Sequence, residues 1–230
     1  MPSPAAPLDL PELLARAEWL AGKSVGDLAR QLDLTLPANS SQAKGKVGEL
    51  LERWLGASAG NRDQPDFPQL GVELKTIPMD STGRVRESTF VCKLDHEAIA
   101  EQSWQQSRVW RKLRQVLWIP VQAAVEAAPA DRRIGRAVLW RPDQREEAEL
   151  RDDWQQIVGA ICTAGIDAVD ARMGRALQLR PKAPNSRQQA ALFTDDGQLS
   201  RCGPRGFYLR ARFTEALLWR ATDPSSPSAS

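Results

Sequence analysis

Two carboxylates and an ammonium fall close together in the stretch Pro65-Asp66-Phe67-Pro68-Gln69-Leu70-Gly71-Val72-Glu73-Leu74-Lys75-Thr76. Asp66 and Glu73 offer hard oxygen donors, the kind that hold Mg²⁺ while leaving it several waters. Lys75 adds a positive charge able to meet a phosphate or orient an attacking water. Together they suit metal-assisted hydrolysis of a phosphate ester. Whether they meet depends on local structure. Gly71 is a natural turn point. Beyond it Val72, Leu74 and Thr76 alternate with Glu73, Lys75 and Ile77. That is the period of a β-strand, whose successive side chains leave opposite faces. Val72 and Leu74 then face a core, Glu73 and Lys75 point together to the other side, and a turn returns Asp66 beside them. Alternating charges on a strand are more often a solvated face, and the spacing alone does not separate that reading from a metal site.

The elements that must position this stretch lie on both sides of it. Upstream, Pro11 to Leu20 reads as a helix with Gly22 as its stop, and Ser24 to Gln31 as a second, short one. Pro37 to Gln42 reads as a loop. A third helix runs from Lys44-Gly45-Lys46 through Leu55, with Val47, Leu50, Leu51, Trp54 and Leu55 as its apolar stripe. Glu52 sits on the flank of that stripe, either as an exposed helix acid or leaning toward the strand that carries Glu73. Downstream, Ser88 to Cys92 is a candidate strand, expected to form a hairpin with 71–77. Residues 103–114 read as a basic helix. Val116 to Val121 and Ala137 to Trp140 read as apolar strands. Asp143 to Cys162 is the longest helix, with Leu150, Trp154, Ile157, Val158 and Ile161 on one face. Ala176 to Arg180 and Gly206 to Arg210 read as strands, 185–193 as a short helix, and Thr214 to Arg220 as a closing helix. The expected class is α+β: a central mixed sheet flanked by helices. Residues 1–222 make one domain, and the Pro/Ser-rich 223–230 a disordered tail.

Composition narrows the chemistry. The only histidine is His96, expected on the surface in Asp95-His96-Glu97, and the three cysteines are widely spaced. Zinc chemistry and Ser-His or Cys-His catalysis are therefore not expected, and reduced thiols fit a cytoplasmic protein. No apolar run reaches the roughly 18 residues of a membrane span, and Met1 to Pro7 lacks the features of a secretory signal. Net charge is only +2, but 172–220 holds ten basic residues against three acidic ones, the pattern of a polyanion-binding half. The six acids between 143 and 153 are expected to be a solvated helix face.

Pro65-Asp66 followed by Glu73-Leu74-Lys75 resembles the PD-(D/E)xK nuclease superfamily. The neighbours are more specific. Leu50-Leu51-Glu52, Trp54-Leu55-Gly56-Ala57-Ser58-Ala59-Gly60, Leu70-Gly71-Val72-Glu73-Leu74-Lys75-Thr76-Ile77-Pro78, Thr89-Phe90-Val91-Cys92, Val116-Leu117-Trp118-Ile119-Pro120-Val121, Arg180-Pro181-Lys182-Ala183 and Pro204-Arg205-Gly206-Phe207-Tyr208-Leu209 together resemble the MutH family of strand-nicking mismatch-repair endonucleases. The likeness runs in order from about residue 10 to 220. It does not extend to 95–102 or beyond Arg220. The resemblance implies a restriction-endonuclease-like fold of two lobes around a DNA-binding cleft. It implies a Mg²⁺-dependent endonuclease that nicks the unmethylated strand 5′ of G at hemimethylated GATC sites, as a monomer activated by MutL after MutS has marked a mismatch. Asp66, Glu73 and Lys75 match the catalytic trio, and Glu52 the acid that joins the metal site. Lys44 and Lys112 match basic residues near the scissile phosphate. Arg180, Lys182 and Tyr208 match the part that reads bases and adenine methylation, with Arg180 and Lys182 stiffened by Pro181 and Pro184. Arg205, Arg210 and Arg212 are expected to meet phosphates. A restriction-type enzyme cutting both strands at GATC and a non-catalytic GATC-binding module are the competing readings.

Overall fold

Why Asp66 comes back beside Glu73 is answered by a few hydrogen bonds around a buried ring. Phe67 and Val72 form an isolated antiparallel bridge, with the Phe67 amide donating to the Val72 carbonyl at 2.9 Å and the Val72 amide to the Phe67 carbonyl at 3.3 Å. The Leu70 amide closes the turn on the Phe67 carbonyl at 3.1 Å. Gly71 takes φ 66°, the left-handed region that glycine enters without a Cβ penalty. Phe67 is buried in the main core, which anchors the turn from beneath.

The computed structural model describes residues 4–37, 40–60, 63–95, 98–122, 127–182, 190–193, 199–202 and 204–222. The chain divides into two compact units built from discontinuous stretches. The first takes Met1–Glu87, Arg114–Arg141 and Glu215–Ser230, the second Ser88–Leu113 and Pro142–Thr214.

In the first unit the helices are α1 (Leu10–Leu20), α2 (Val25–Gln31) and α3 (Ser40–Leu55). Asp9 caps α1 by accepting from the Glu12 amide, and Ser24 caps α2 by accepting from the Asp27 amide. Strand β1 (Glu73–Met79) runs parallel to β3 (Val116–Gln122), which pairs antiparallel with β4 (Val138–Trp140). The apolar run of β3 is explained by its place: it is central in this small mixed sheet, covered on both sides. Val47, Leu50, Leu51 and Leu55 of α3 pack with Val72, Leu74, Leu117 and Ile119 in one core. The helix ends at Gly56, and the next turn folds back so that the Ser58 and Ala59 amides both donate to the Asp66 carbonyl, at 3.1 and 3.3 Å.

The second unit holds β2 (Thr89–Lys93), α4 (Arg108–Leu113), α5 (Gln144–Ala164), β5 (Leu177–Pro181), β6 (Ala190–Phe193), β7 (Leu199–Cys202) and β8 (Arg205–Leu209). Helix α6 (Ala211–Thr222) starts in it and ends in the first. An antiparallel sheet orders its strands β2-β8-β5, and β6 pairs with β7. Asp143 and Glu146 close a reciprocal capping box at the start of α5.

The α+β class stands, with three corrections of detail. Residues 88–92 do not form a hairpin with 71–77: β2 pairs with β8, and β1 takes β3 as its partner instead, because a parallel central strand buries both of its apolar faces. The described strands form two three-stranded sheets and one two-stranded sheet rather than one central sheet. Within 185–193, Ala190–Phe193 is a strand paired to Leu199–Cys202, so the expected helix is replaced there. The remainder of that segment, His96 and the tail 223–230 lie outside the described residues. Among the described residues no helix is long and apolar enough to cross a membrane.

The turn makes a stability prediction. Alanine at position 71 would set its Cβ 3.1 Å from the Arg114 guanidinium, a flexible group that can withdraw. The left-handed backbone then sets the penalty, about 1 kcal/mol. Gly71→Ala should lower Tm by roughly 2–4 °C, measured by differential scanning calorimetry.

Candidate active site

Strand β1 begins at Glu73, whose amide donates to the Gln115 carbonyl at 3.0 Å. Because Leu74 joins the α3 core, Glu73 and Lys75 leave the opposite face together. They are not a solvated face. Glu73 is only 4 % exposed, and the Lys75 Nζ donates to its Oε1 at 2.8 Å, the lysine side chain being 14 % exposed. The close ammonium offsets part of the cost of burying this carboxylate. Asp66 is held by its own backbone and by its side chain, whose Oδ2 accepts from the Leu74 amide at 2.7 Å. One hairpin thus fixes both acids against the first turn of one strand.

Glu52 completes the electrostatics. Its carboxyl is pushed up to about 7, first by burial, then by the negative charges of Asp66, Glu49 and Glu73, against the opposing pull of Lys75. Of the two readings open for Glu52, the flank position on α3 is therefore within electrical reach of the hairpin acids. Among the described residues no three His, Cys, Asp or Glu side chains converge closely enough to cage an ion. The donors are all carboxylate oxygens that repel one another, which suits a hard divalent cation and not a soft one. Lys44 lies in α3, and its side chain is outside what is described.

The remaining expected residues belong to the second unit. Lys112 is half-buried in α4, which is shorter than expected: Trp104–Gln106 is a separate 3-10 turn. Tyr208 of β8 stands between Phe90 of β2 and Gln178 of β5 in the ladder. Its ring meets that of Phe90 edge-on at 5.3 Å. The Arg180 guanidinium lies 5.9 Å from the Tyr208 ring, and the Lys182 Nζ 4.7 Å from the Phe90 ring. Burial lowers the Lys182 ammonium, with Lys93 adding repulsion, and burial raises the Tyr208 phenol against the pull of Arg180. The structure therefore brings Arg180, Lys182 and Tyr208 together on one sheet.

A family model described as DNA mismatch repair enzyme MutH matches residues 55–153. A DNA mismatch repair protein MutH of Shewanella amazonensis is 45 % identical over 223 residues, 97 % of this chain and 100 % of the relative. The chain belongs to the MutH family. A MutH of Shewanella baltica is 45 % identical over 92 % of this chain and 95 % of its own length. One of Escherichia coli is 45 % identical over 91 % of both.

Some assignments made from sequence change in this MutH-family chain. Arg210 and Arg212 also bond their own chain. Arg210 donates to the carbonyls of Ala171, Met173 and Gly174, and Arg212 to that of Arg175. Arg205 is paired with Asp167 at 2.8 Å. The acids of α5 are not all solvated, since Glu146 and Asp153 are buried. Phe90 was missed as a member of the ring cluster; its alternation in the strand 88–92 carried the signal.

Glu52 gives a pH prediction. A carboxyl with its folded value near 7 and its ordinary value near 4.5 binds its proton more tightly in the folded protein. Stability is therefore fully present below about 4.5 and falls as pH rises through 7. In metal-free buffer Glu52→Gln should leave Tm nearly unchanged at pH 4 and raise it at pH 8. The gain is about 1 kcal/mol after allowance for solvent screening, or roughly 2–4 °C. Thermal melts across this range check it, and an unchanged or lowered Tm at pH 8 counts against the clustering of acids.

Proposed function

We propose that this chain is a Mg²⁺-dependent DNA endonuclease that nicks the unmethylated strand 5′ of G at hemimethylated GATC sites, in mismatch repair, as a monomer activated by MutL. The observation that carries the reading is the buried Glu73–Lys75 pair with Asp66 tied to the same strand turn. A charged trio of this kind is held at a loss of stability, which a purely structural or silent DNA-binding module does not require.

In this reading Asp66 and Glu73 hold the ion, with Glu52 adjoining. Mg²⁺ bound there supplies a Lewis acid at the scissile phosphate and a source of activated water. Lys75 carries donors that rotate on a flexible stem, so the ammonium that pairs with Glu73 can turn to orient the attacking water and offset charge on the phosphate. Lys44 and Lys112 are assigned to the phosphates flanking the cut. Arg180 and Lys182 donate to guanine O6 and N7 in the major groove, a pattern that separates G·C from the other pairs. Tyr208, packed against Phe90, stands where an adenine N6-methyl group would collide on one strand.

Three carboxylates repel one another without a cation, and phosphate oxygens complete the ligand set, so Mg²⁺ should bind weakly to the protein alone and more tightly with a GATC duplex. Titration calorimetry with and without duplex measures this; equal affinity speaks against a shared site.

The activity test is Mg²⁺-dependent cleavage of unmethylated, hemimethylated and fully methylated GATC plasmids, with and without MutL. Nicking of the first two, sparing of the third and stimulation by MutL are expected; linearisation would favour a restriction-type enzyme. Asp66→Asn should reduce cleavage by at least about a hundredfold, and full activity in that variant would overturn the site. Tyr208→Ala should relax the sparing of methylated DNA.

A further inference from the structure

Asp153 is a buried carboxylate that the proposed chemistry does not use. It lies on α5 and is 4 % exposed. Its oxygens accept from three consecutive amides: Arg175 at 2.9 Å to each oxygen, Ala176 at 2.7 Å and Leu177 at 2.8 Å. These amides lead directly into β5, which starts at Leu177. The loop is also held from its carbonyl side, because the Arg210 guanidinium donates to Gly174 at 2.9 Å, Ala171 at 2.8 Å and Met173 at 3.0 Å. Gly174 sits between the two grips at φ 77°. A Cβ there would stand 1.9 Å from the Leu177 carbonyl oxygen and 3.1 Å from the Asp153 carboxyl carbon.

Strand β5 needs such a grip. It is an edge strand of five residues and ends in Pro181, which has no amide to give the ladder. Arg180 comes three residues after the last gripped amide. Gln178 faces Tyr208 in register and donates to the Ser88 hydroxyl at 2.7 Å. Any slide of β5 therefore moves Arg180 and Lys182 against the Tyr208 and Phe90 rings.

We propose that Asp153 and Arg210 form a two-sided clamp that sets the position of β5, making them positioning residues for base and methylation discrimination. This rests on the reading of Arg180, Lys182 and Tyr208 as the recognition group.

The test compares wild type, Asp153→Asn, Arg210→Lys, Tyr208→Ala and, as a destabilised control, Leu150→Ala from the buried face of α5. Each is assayed well below its own Tm for cleavage of GATC, of a duplex with one substituted base pair, and of hemimethylated against fully methylated GATC. Asp153→Asn should lower both discrimination ratios by roughly tenfold, a part of the hundredfold that an ångström-sized misplacement can cost. Arg210→Lys, which keeps the charge and loses the fork, should act in the same direction. Leu150→Ala should lower Tm and leave the ratios alone. Unchanged ratios in both clamp variants, with Tyr208→Ala relaxed, overturn the clamp. Unchanged methylation discrimination in Tyr208→Ala overturns the recognition reading and the clamp proposal with it. If Asp153→Asn does not fold, Arg210→Lys decides.

Discussion

A carboxylate that is almost wholly buried is the constraint around which the first unit is arranged. Moving an ionised Glu73 out of water costs several kcal/mol even after relaxation, and one ammonium at 2.8 Å offsets this only if its geometry is held. Asp66 and Glu52 make the balance worse by adding negative charge nearby; burial first, and then its acidic neighbours, raise the Glu52 carboxyl to about 7. The surroundings must therefore over-determine the arrangement. They do so with a parallel pairing to a largely apolar strand, a phenylalanine sunk in the core and contacts that hold Asp66 at three points. The instability is local and the support is distributed, which is how strained sites persist in stable domains.

The second unit solves a different problem. Its rings and cations sit on a short antiparallel sheet whose outer strand β5 has a ladder partner on one side only. Aromatic packing of Phe90 on Tyr208 fixes the middle of that sheet, and two cations lie over the rings. The ladder between β2 and β8 shifts register between Phe90 and Cys92. A bulge of this kind re-aims a side chain at the position where it occurs. Here the extra residue is Val91, between Phe90 and Cys92.

Much of this was legible in the sequence, for physical reasons that differ by residue. Alternation around Glu73 placed it with Lys75 and opposite Leu74, because strand periodicity depends on backbone geometry alone. Burial of the pair was not legible. Alternating charges look the same whether water or protein covers them, and only the packing of α3 and β3 decides. The stop of α3 at Gly56 was readable, but its use, turning Ser58 and Ala59 toward the Asp66 carbonyl, depends on a contact across a turn. Strand pairing failed as an inference for β1 and β2 because adjacency in sequence favours a hairpin, whereas the apolar β3 offered β1 a mostly buried partner. Asp153 could have been suspected. It lies three residues after Leu150 and four before Ile157, on the stripe that packs inward, and an acid there needs donors.

The two buried carboxylates show why burial alone does not mark a functional acid. Asp153 is met by amides of Arg175, Ala176 and Leu177, and those donors cannot move without moving β5. Its partners are part of the fold, and so is its role. Glu73 is met by the tip of a lysine, a donor on a four-carbon stem that can be redirected without disturbing the strand. A cation or phosphate entering that site can exchange the ammonium for a new partner while β1 stays in place. An exchangeable counter-charge at a buried acid is the physical condition for chemistry there, and a fixed one is the condition for architecture. On that criterion the turn at Gly71 suits the proposed reaction, and the loop at Gly174 suits the proposed alignment.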